Sequence, residues 1–256
     1  MRTIALALQK GGVGKTTGAV NIGAALAMQG HRTLVVDLDA QANATVWCNA
    51  EPMENGLADA LWNAELPLEE IIAETPVDGL FVAPASLRYR DFELSLPSQA
   101  GAQLRLVNLL AEMQADWDYV LLDCPPNLGI MTTNALIAAH EVVVPLEATE
   151  LGIRGLRELE RTLELIRRHA RNDVRVAAVY FAYYKANRNL SRDALAAVEQ
   201  AYESRLLKTR IRENVRIAES FSARTPVVKF DPRSNGARDF VALAEEIDKL
   251  TENQNG

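Results

Sequence analysis

The run Lys10-Gly11-Gly12-Val13-Gly14-Lys15-Thr16-Thr17 gathers the residue types that hold phosphate. Glycines at 11, 12 and 14 let the backbone bend tightly and turn its N–H groups inward. The run lies between a strand-like stretch, residues 3–9, and a helical one, residues 16–29, the setting in which a phosphate-binding loop works. The start of that helix adds partial positive charge. A glycine-rich strand-to-helix turn can be purely structural, but Lys15 and Thr16 at its end point to a nucleotide. Lys15 is expected to neutralise the β- and γ-phosphates of ATP, and the Thr16 hydroxyl to ligate Mg²⁺. The general pattern G-x-x-x-x-G-K-[ST] asks for glycine at position 9, where this chain has Gln9.

Three aspartates complete the constellation. Val35-Val36-Asp37-Leu38-Asp39 ends the second predicted strand, and Val120-Leu121-Leu122-Asp123 ends the fourth. In open α/β sheets ligands sit beyond the carboxyl ends of the strands, so these carboxylates are expected beside the loop. Asp123 reads as the metal carboxylate that joins Thr16 on Mg²⁺. Asp39, one step further into its loop than Asp37, reads as the group that orients an attacking water. A lone aspartate is more often a cap or turn residue; the company of the loop argues otherwise.

The elements that must position these groups alternate along the chain. Apolar, β-branched runs at 3–9, 33–38, 79–84, 119–123, 141–146, 175–181 and 207–211 read as strands. Helical periods fit at 16–29, 103–114, 153–170, 191–203 and 235–250, the last with Phe240, Leu243, Ala244, Ile247 and Leu250 on one stripe. This alternation predicts an α/β fold, a mostly parallel twisted sheet with helices on both faces. No repeat or linker divides the 256 residues, which read as a single domain, 1–256.

The phosphate loop and its surroundings resemble the ParA/MinD family of deviant Walker A ATPases. Lys10-Gly11-Gly12-Val13-Gly14-Lys15-Thr16 is similar to that family's loop, in which the first lysine reaches the partner subunit's nucleotide in an ATP-sandwich dimer. Asp37-Leu38-Asp39-Ala40-Gln41-Ala42-Asn43-Ala44-Thr45 resembles the first switch, with Ala40 in place of a usual proline and Ala42 in place of a usual glycine. Asp123-Cys124-Pro125-Pro126-Asn127-Leu128-Gly129 resembles the second, and its prolines bar a helix from starting there. Asn189-Leu190-Ser191, Asn214-Val215-Arg216 and Phe230-Asp231-Pro232-Arg233-Ser234-Asn235-Gly236 look like ParA segments rather than MinD segments. Two stretches depart from ParA, Ile211-Arg212-Glu213 and Ala182-Tyr183-Tyr184-Lys185. The resemblance implies an ATP-dependent homodimer, slow hydrolysis stimulated by a ParB-like partner, and positioning of DNA or another large cargo. It assigns Lys10, Lys15 and Asp39 to catalysis, and residues 10 to 17 to the nucleotide. With the loop starting at residue 10, no helix-turn-helix domain and no operator-specific repression are expected.

Charge is unevenly spread. Residues 1–150 carry 7 Lys/Arg against 19 Asp/Glu, and residues 151–256 carry 20 against 15, within a net −7. A basic second half fits an anionic partner, although arginine-rich helices also have solvated faces. Lys185, Arg188, Arg192 and Arg216 are the expected contacts to non-specific double-stranded DNA. A MinD-like membrane switch is the alternative, and the acidic tail Glu245-Glu246-Ile247-Asp248-Lys249-Leu250-Thr251-Glu252 argues against lipid. A metabolic enzyme or iron–sulfur scaffold on the same fold lacks paired cysteines here, since only Cys48 and Cys124 occur. The strand-like start predicts no signal peptide, and no apolar stretch reaches a membrane-spanning length of about 20 residues. A cytoplasmic, nucleoid-associated protein is expected. Trp47, Trp62 and Trp117 read as packing residues, and His31, His140 and His169 form no metal pattern.

Overall fold

The structure, a computed structural model, describes residues 1–54, 56–62, 66–95, 101–170, 172–184 and 191–252, without the side chains of residues 90, 191–194, 251 and 252. Among these residues eight strands form one sheet: β1 (Arg2–Leu6), β2 (Thr33–Asp37), β3 (Ala73–Glu74), β4 (Leu80–Ala83), β5 (Tyr119–Asp123), β6 (Glu141–Leu146), β7 (Arg175–Tyr184) and β8 (Leu206–Arg212). Their order across the sheet is β3-β4-β2-β5-β1-β6-β7-β8. All neighbours run parallel except β3, which is antiparallel to β4. The central strands are buried on both faces, which is why they read as unbroken apolar runs.

Alternate residues of each strand feed two cores. Leu34, Val36, Val120, Leu122 and Phe181 pack on one face, under helices α3 (Leu57–Trp62), α4 (Tyr89–Ser95), α5 (Arg105–Ala111), α6 (Ile130–Ala138), α7 (Glu150–Ala170) and α8 (Ser191–Tyr202). Ile4, Leu6, Val35, Leu121 and Tyr180 pack on the other, under α1 (Lys15–Met28), α2 (Asn43–Trp47), α9 (Val215–Ser222), α10 (Val227–Phe230) and α11 (Asn235–Glu252). The predicted stripe of α11 is the buried one, with Phe240, Leu243, Ala244 and Ile247 at most 1% exposed. Trp47 and Trp117 are buried as expected, whereas Trp62 is 42% exposed and meets Phe92 edge-on.

Several boundaries differ from the sequence reading. β1 stops at Leu6, leaving residues 7–9 to carry the chain toward the phosphate loop. β2 ends at Asp37, so Leu38 and Asp39 already belong to the loop. The helix expected at 103–114 is a 3-10 turn, Ala102–Leu104, followed by the short α5. β3 makes Asp123 the end of the fifth strand rather than the fourth. Helix α6 has no amphipathic period because it is apolar almost all round and buried on nearly all sides.

The outer edge of β8 is covered from α11. Glu246 accepts the N–H groups of Lys208 and Thr209, each at 2.9 Å, and Asp239 accepts that of Arg212 at 3.0 Å. At the opposite edge β3 is only two residues long.

Candidate active site

The loop between β1 and α1 is shaped by its glycines. Gly12 and Gly14 have φ of 72° and 94°, left-handed values that a side chain resists. A side chain at Gly11 or Gly12 would project into open space, with no described atom within 4 Å. The backbone therefore forms a bare concave cradle at the start of α1, suited to a phosphate chain. Thr16 and Thr17 sit half-buried in the first turn.

Lys15 lies inside this cradle, 6% exposed, with its Nζ donating to the Lys10 carbonyl at 2.9 Å. Burial holds its ammonium below the usual lysine range, while Asp123, Cys124 and Asp39 pull the other way. Such a cation, sunk among carboxylates with a single neutral acceptor, gains most from a bound polyanion.

Parallel register sets Asp37 directly beside Asp123 at the ends of β2 and β5. Both are fully buried, yet they do different work. Asp37 is consumed locally: its carboxylate accepts Thr45 N at 2.8 Å, Thr45 Oγ1 at 2.7 Å and Asp39 N at 3.1 Å. The turn of residues 38–44 hangs from that carboxylate. Burial still pushes Asp37 up to about 6, with the Asp39 charge adding to the rise and the hydrogen bonds opposing it. Tyr89 in α4 donates to the Asp37 carbonyl at 2.6 Å and fixes the same corner from above.

Neither Asp123 oxygen has a hydrogen-bond partner among the described residues. Burial first, and then the neighbouring Asp37, raises its carboxyl well above the usual range. The Thr16 hydroxyl and Lys15 stand close enough to favour its charged form without completing its bonds. An orphaned buried carboxylate beside a threonine hydroxyl is the donor set of a hard cation such as Mg²⁺.

Asp39 is half-buried at the mouth of the site. One of its oxygens accepts Gln41 N at 3.0 Å, and its carbonyl accepts Ala42 N at 2.9 Å. Ala42 closes this turn at φ 54°, in the left-handed region. The position where the resembling family uses glycine thus keeps its conformation with alanine, at a cost of about 1–2 kcal/mol. In the second loop, Asn127 accepts Gly129 N at 2.9 Å and holds the entry to α6. Cys124 is buried and its thiol is raised by burial, which leaves it chemically quiet.

Three neighbours escaped the sequence reading, and a fourth lies in a stretch that departs from ParA. Glu147, just past β6, is ion-paired with Lys10. Glu93 in α4 faces Asp39, and burial together with that charge raises its carboxyl. Tyr89 is the third. Tyr183, at the end of β7, is the fourth, its hydroxyl 3.4 Å from Thr17 Oγ1. Glu147 carried a usable positional signal, because it stands at the carboxyl end of a strand, as Asp39 and Asp123 do.

The structure brings Lys10, Lys15, Thr16, Asp39 and Asp123 into one cleft edge, with the loop residues Gly11, Gly12, Val13, Gly14 and Thr17 around it. Of the four expected DNA contacts, one side chain lies among the described residues. Lys185 and Arg188 lie outside the described residues, and Arg192 is in α8 with its side chain undescribed. Arg216 is described: its guanidinium pairs with Glu219 at 2.7 Å and Asp231 at 3.2 Å. Asn214 caps α9 by accepting Arg216 N at 2.8 Å, so two residues of that segment have local structural duties.

A family model described as an AAA domain matches residues 1–176. The sporulation initiation inhibitor protein Soj of Bacillus subtilis is 36% identical over 248 residues, covering 96% of this chain and 98% of its own. The chromosome partitioning protein ParA of Caulobacter vibrioides is 34% identical over 251 residues, covering 96% and 94%. Among solved structures, a cobyrinic acid a,c-diamide synthase of Mycobacterium smegmatis, with an ATP analogue and magnesium bound, superposes with a TM-score of 0.84 at 31% identity. That likeness covers 98% of this chain and 96% of the other. The Pyrococcus furiosus cell division ATPase MinD gives 0.80 at 26% identity, covering 97% and 99%. With the deviant phosphate loop, the paired strand-end aspartates and relatives of this similarity over nearly its whole length, the chain belongs to the ParA/MinD family of P-loop ATPases.

Proposed function

We infer that this protein is a partition ATPase: it binds ATP with Mg²⁺, dimerises across the nucleotide, holds DNA without sequence preference, and lets go on hydrolysis. The observation that carries the nucleotide part is Asp123, a buried carboxylate with no bonding partner set beside Lys15 and Thr16. Bound Mg²⁺ would be held by Thr16 and Asp123 and would neutralise charge on the β- and γ-phosphates. Lys15 binds the same phosphates, and the loop's N–H groups hold the chain of oxygens. Asp39 orients a water toward the γ-phosphorus; the bond to the β–γ bridging oxygen breaks, and ADP and phosphate leave. Lys10, on the outer side of the loop, leaves Glu147 and reaches the partner's nucleotide. A ParB-like activator raises an otherwise slow turnover.

The Caulobacter vibrioides relative, named for chromosome partitioning, supports the cargo class, and the basic balance of residues 151–256 supports DNA as the surface held. The membrane alternative gains little from the described residues. Among the described residues, no helix is long and apolar enough to cross a membrane. The apolar stripe of α11 is spent on the core, which leaves it none for lipid.

Binding to unrelated DNA duplexes, followed with ATP and with ADP at several salt concentrations, tests this reading. ATP-dependent binding that weakens steeply with salt is expected. Equal binding with both nucleotides overturns the switch. Absence of binding at low salt with ATP overturns the DNA role and turns the test to anionic vesicles.

A further inference from the structure

Residues of β7 alternate between the two cores. Phe181 faces α7 and α8; Tyr180 and Ala182 face α1. By that alternation Tyr183 belongs on the side of Phe181, away from the phosphate loop. It is not there. Its φ of 53° lies in the left-handed region, one that a bulky aromatic residue rarely enters. The reversal swings the ring back to the α1 side. A methyl group added at Gly14 would lie 3.4 Å from Tyr183 Cε2 and 3.6 Å from its Oη. The same Oη is 3.4 Å from Thr17 Oγ1. The ring remains 36% exposed at the lip of the loop, only partly packed. Backbone strain held beside a ligand cradle is the kind that serves binding.

We propose that Tyr183 is a further nucleotide-binding residue, its phenol hydroxyl acting with Thr17 as a paired donor to the phosphate at the helix side of the loop. Lys15 and Thr16 serve the β/γ end of the phosphate chain. Thr17 and Tyr183 stand one residue further along α1 and serve the part that ADP and ATP have in common. The ring also closes the lip of the cradle over Gly14. Each hydroxyl has one proton, so both can donate to one oxygen anion once the bond between them is given up. This assignment rests on the nucleotide-binding reading above and adds to it a residue outside the loop motif.

Isothermal titration of ADP and ATP into the full chain, wild type against Tyr183→Phe, tests the assignment. The Phe variant keeps the ring and loses only the hydroxyl. Both nucleotides are expected to weaken by the same factor, about two- to tenfold for one hydrogen bond. The nucleotide-free melting temperature should not change, whereas a merely structural role of the hydroxyl would lower it. A Thr17→Val, Tyr183→Phe double-mutant cycle should show coupling with ADP present. Unchanged ADP affinity in Tyr183→Phe overturns the proposal, as does a loss confined to ATP. If wild-type protein itself binds neither nucleotide, it is the nucleotide reading that fails, and the two failures are thereby told apart.

Discussion

Lys15 and Arg216 are both cations near the carboxyl end of the sheet, and they keep their charge in opposite ways. Lys15 is buried at the base of α1 and bonds one neutral carbonyl. Arg216 is half-exposed on α9 and already has two carboxylates, Glu219 and Asp231. An anion arriving at Lys15 supplies what the site lacks. One arriving at Arg216 must compete with partners in place. Lys10 stands between the two: it lies on the loop but is paired with Glu147. The nucleotide end of the molecule is thus preorganised for its ligand, whereas Arg216, the described candidate for DNA, must give up its own ion pairs first.

The largest effect is expected at the buried cation. Lys15→Ala should weaken ATP by more than about a hundredfold, since it leaves the surrounding carboxylates without their cation. Calorimetric titration checks this, and an affinity within tenfold of wild type would break the contrast at its strong end. Asp39→Ala comes next. Turnover should fall by about 10²-fold or more, while ATP affinity stays nearly constant, because orienting a water is a transition-state role. Phosphate-release kinetics beside equilibrium binding separates the two; equal loss in both would make Asp39 a binding residue.

Glu147→Gln probes the intermediate case. Freeing Lys10 should tighten the ATP-bound dimer by about two- to fivefold, the worth of one partly exposed ion pair. Sedimentation velocity with ATP measures it, and a weaker dimer would mean that Glu147 itself contacts the partner. The smallest effect belongs to Arg216→Ala, with a few-fold loss of DNA affinity and a salt slope shallower by about one. Glu219→Gln should act in the opposite direction by freeing the guanidinium. If both variants bind DNA as wild type does, that surface lies elsewhere.

The same contrast governs what was legible in the residues. Long central strands announce themselves because burial on both faces demands continuous apolar runs, and the loop announces itself because few residues other than glycine satisfy its backbone. Asp39 and Asp123 follow from topology, as strand ends in a parallel sheet share one edge. Short α2 and α4 carried no such signal. Asn43–Trp47 turns helical because Asp37 catches Thr45 from eight residues away, and Tyr89 finds the Asp37 carbonyl only after the sheet has formed. Tyr183 stood out only as part of a stretch that departs from ParA, since its side chain's direction depends on the observed φ of 53°. Arg216 was legible as a cation but not as a doubly paired one, because Asp231 lies in a separate segment from its helix.

The covering of β8 bears on how copies of this chain can associate. An open strand edge is a template on which a second chain can lay its own backbone, a route to fibres and aggregates. Here Glu246 and Asp239 fill the bonding positions of Lys208, Thr209 and Arg212, and β3 offers two residues at the far edge. The sheet is therefore finished at both margins, like a plank with its grain sealed at each side. Proteins of this design can be concentrated on a crowded surface, released and concentrated again without their sheets knitting together. Reversible assembly is left to faces and loops, where a bound ligand can decide it.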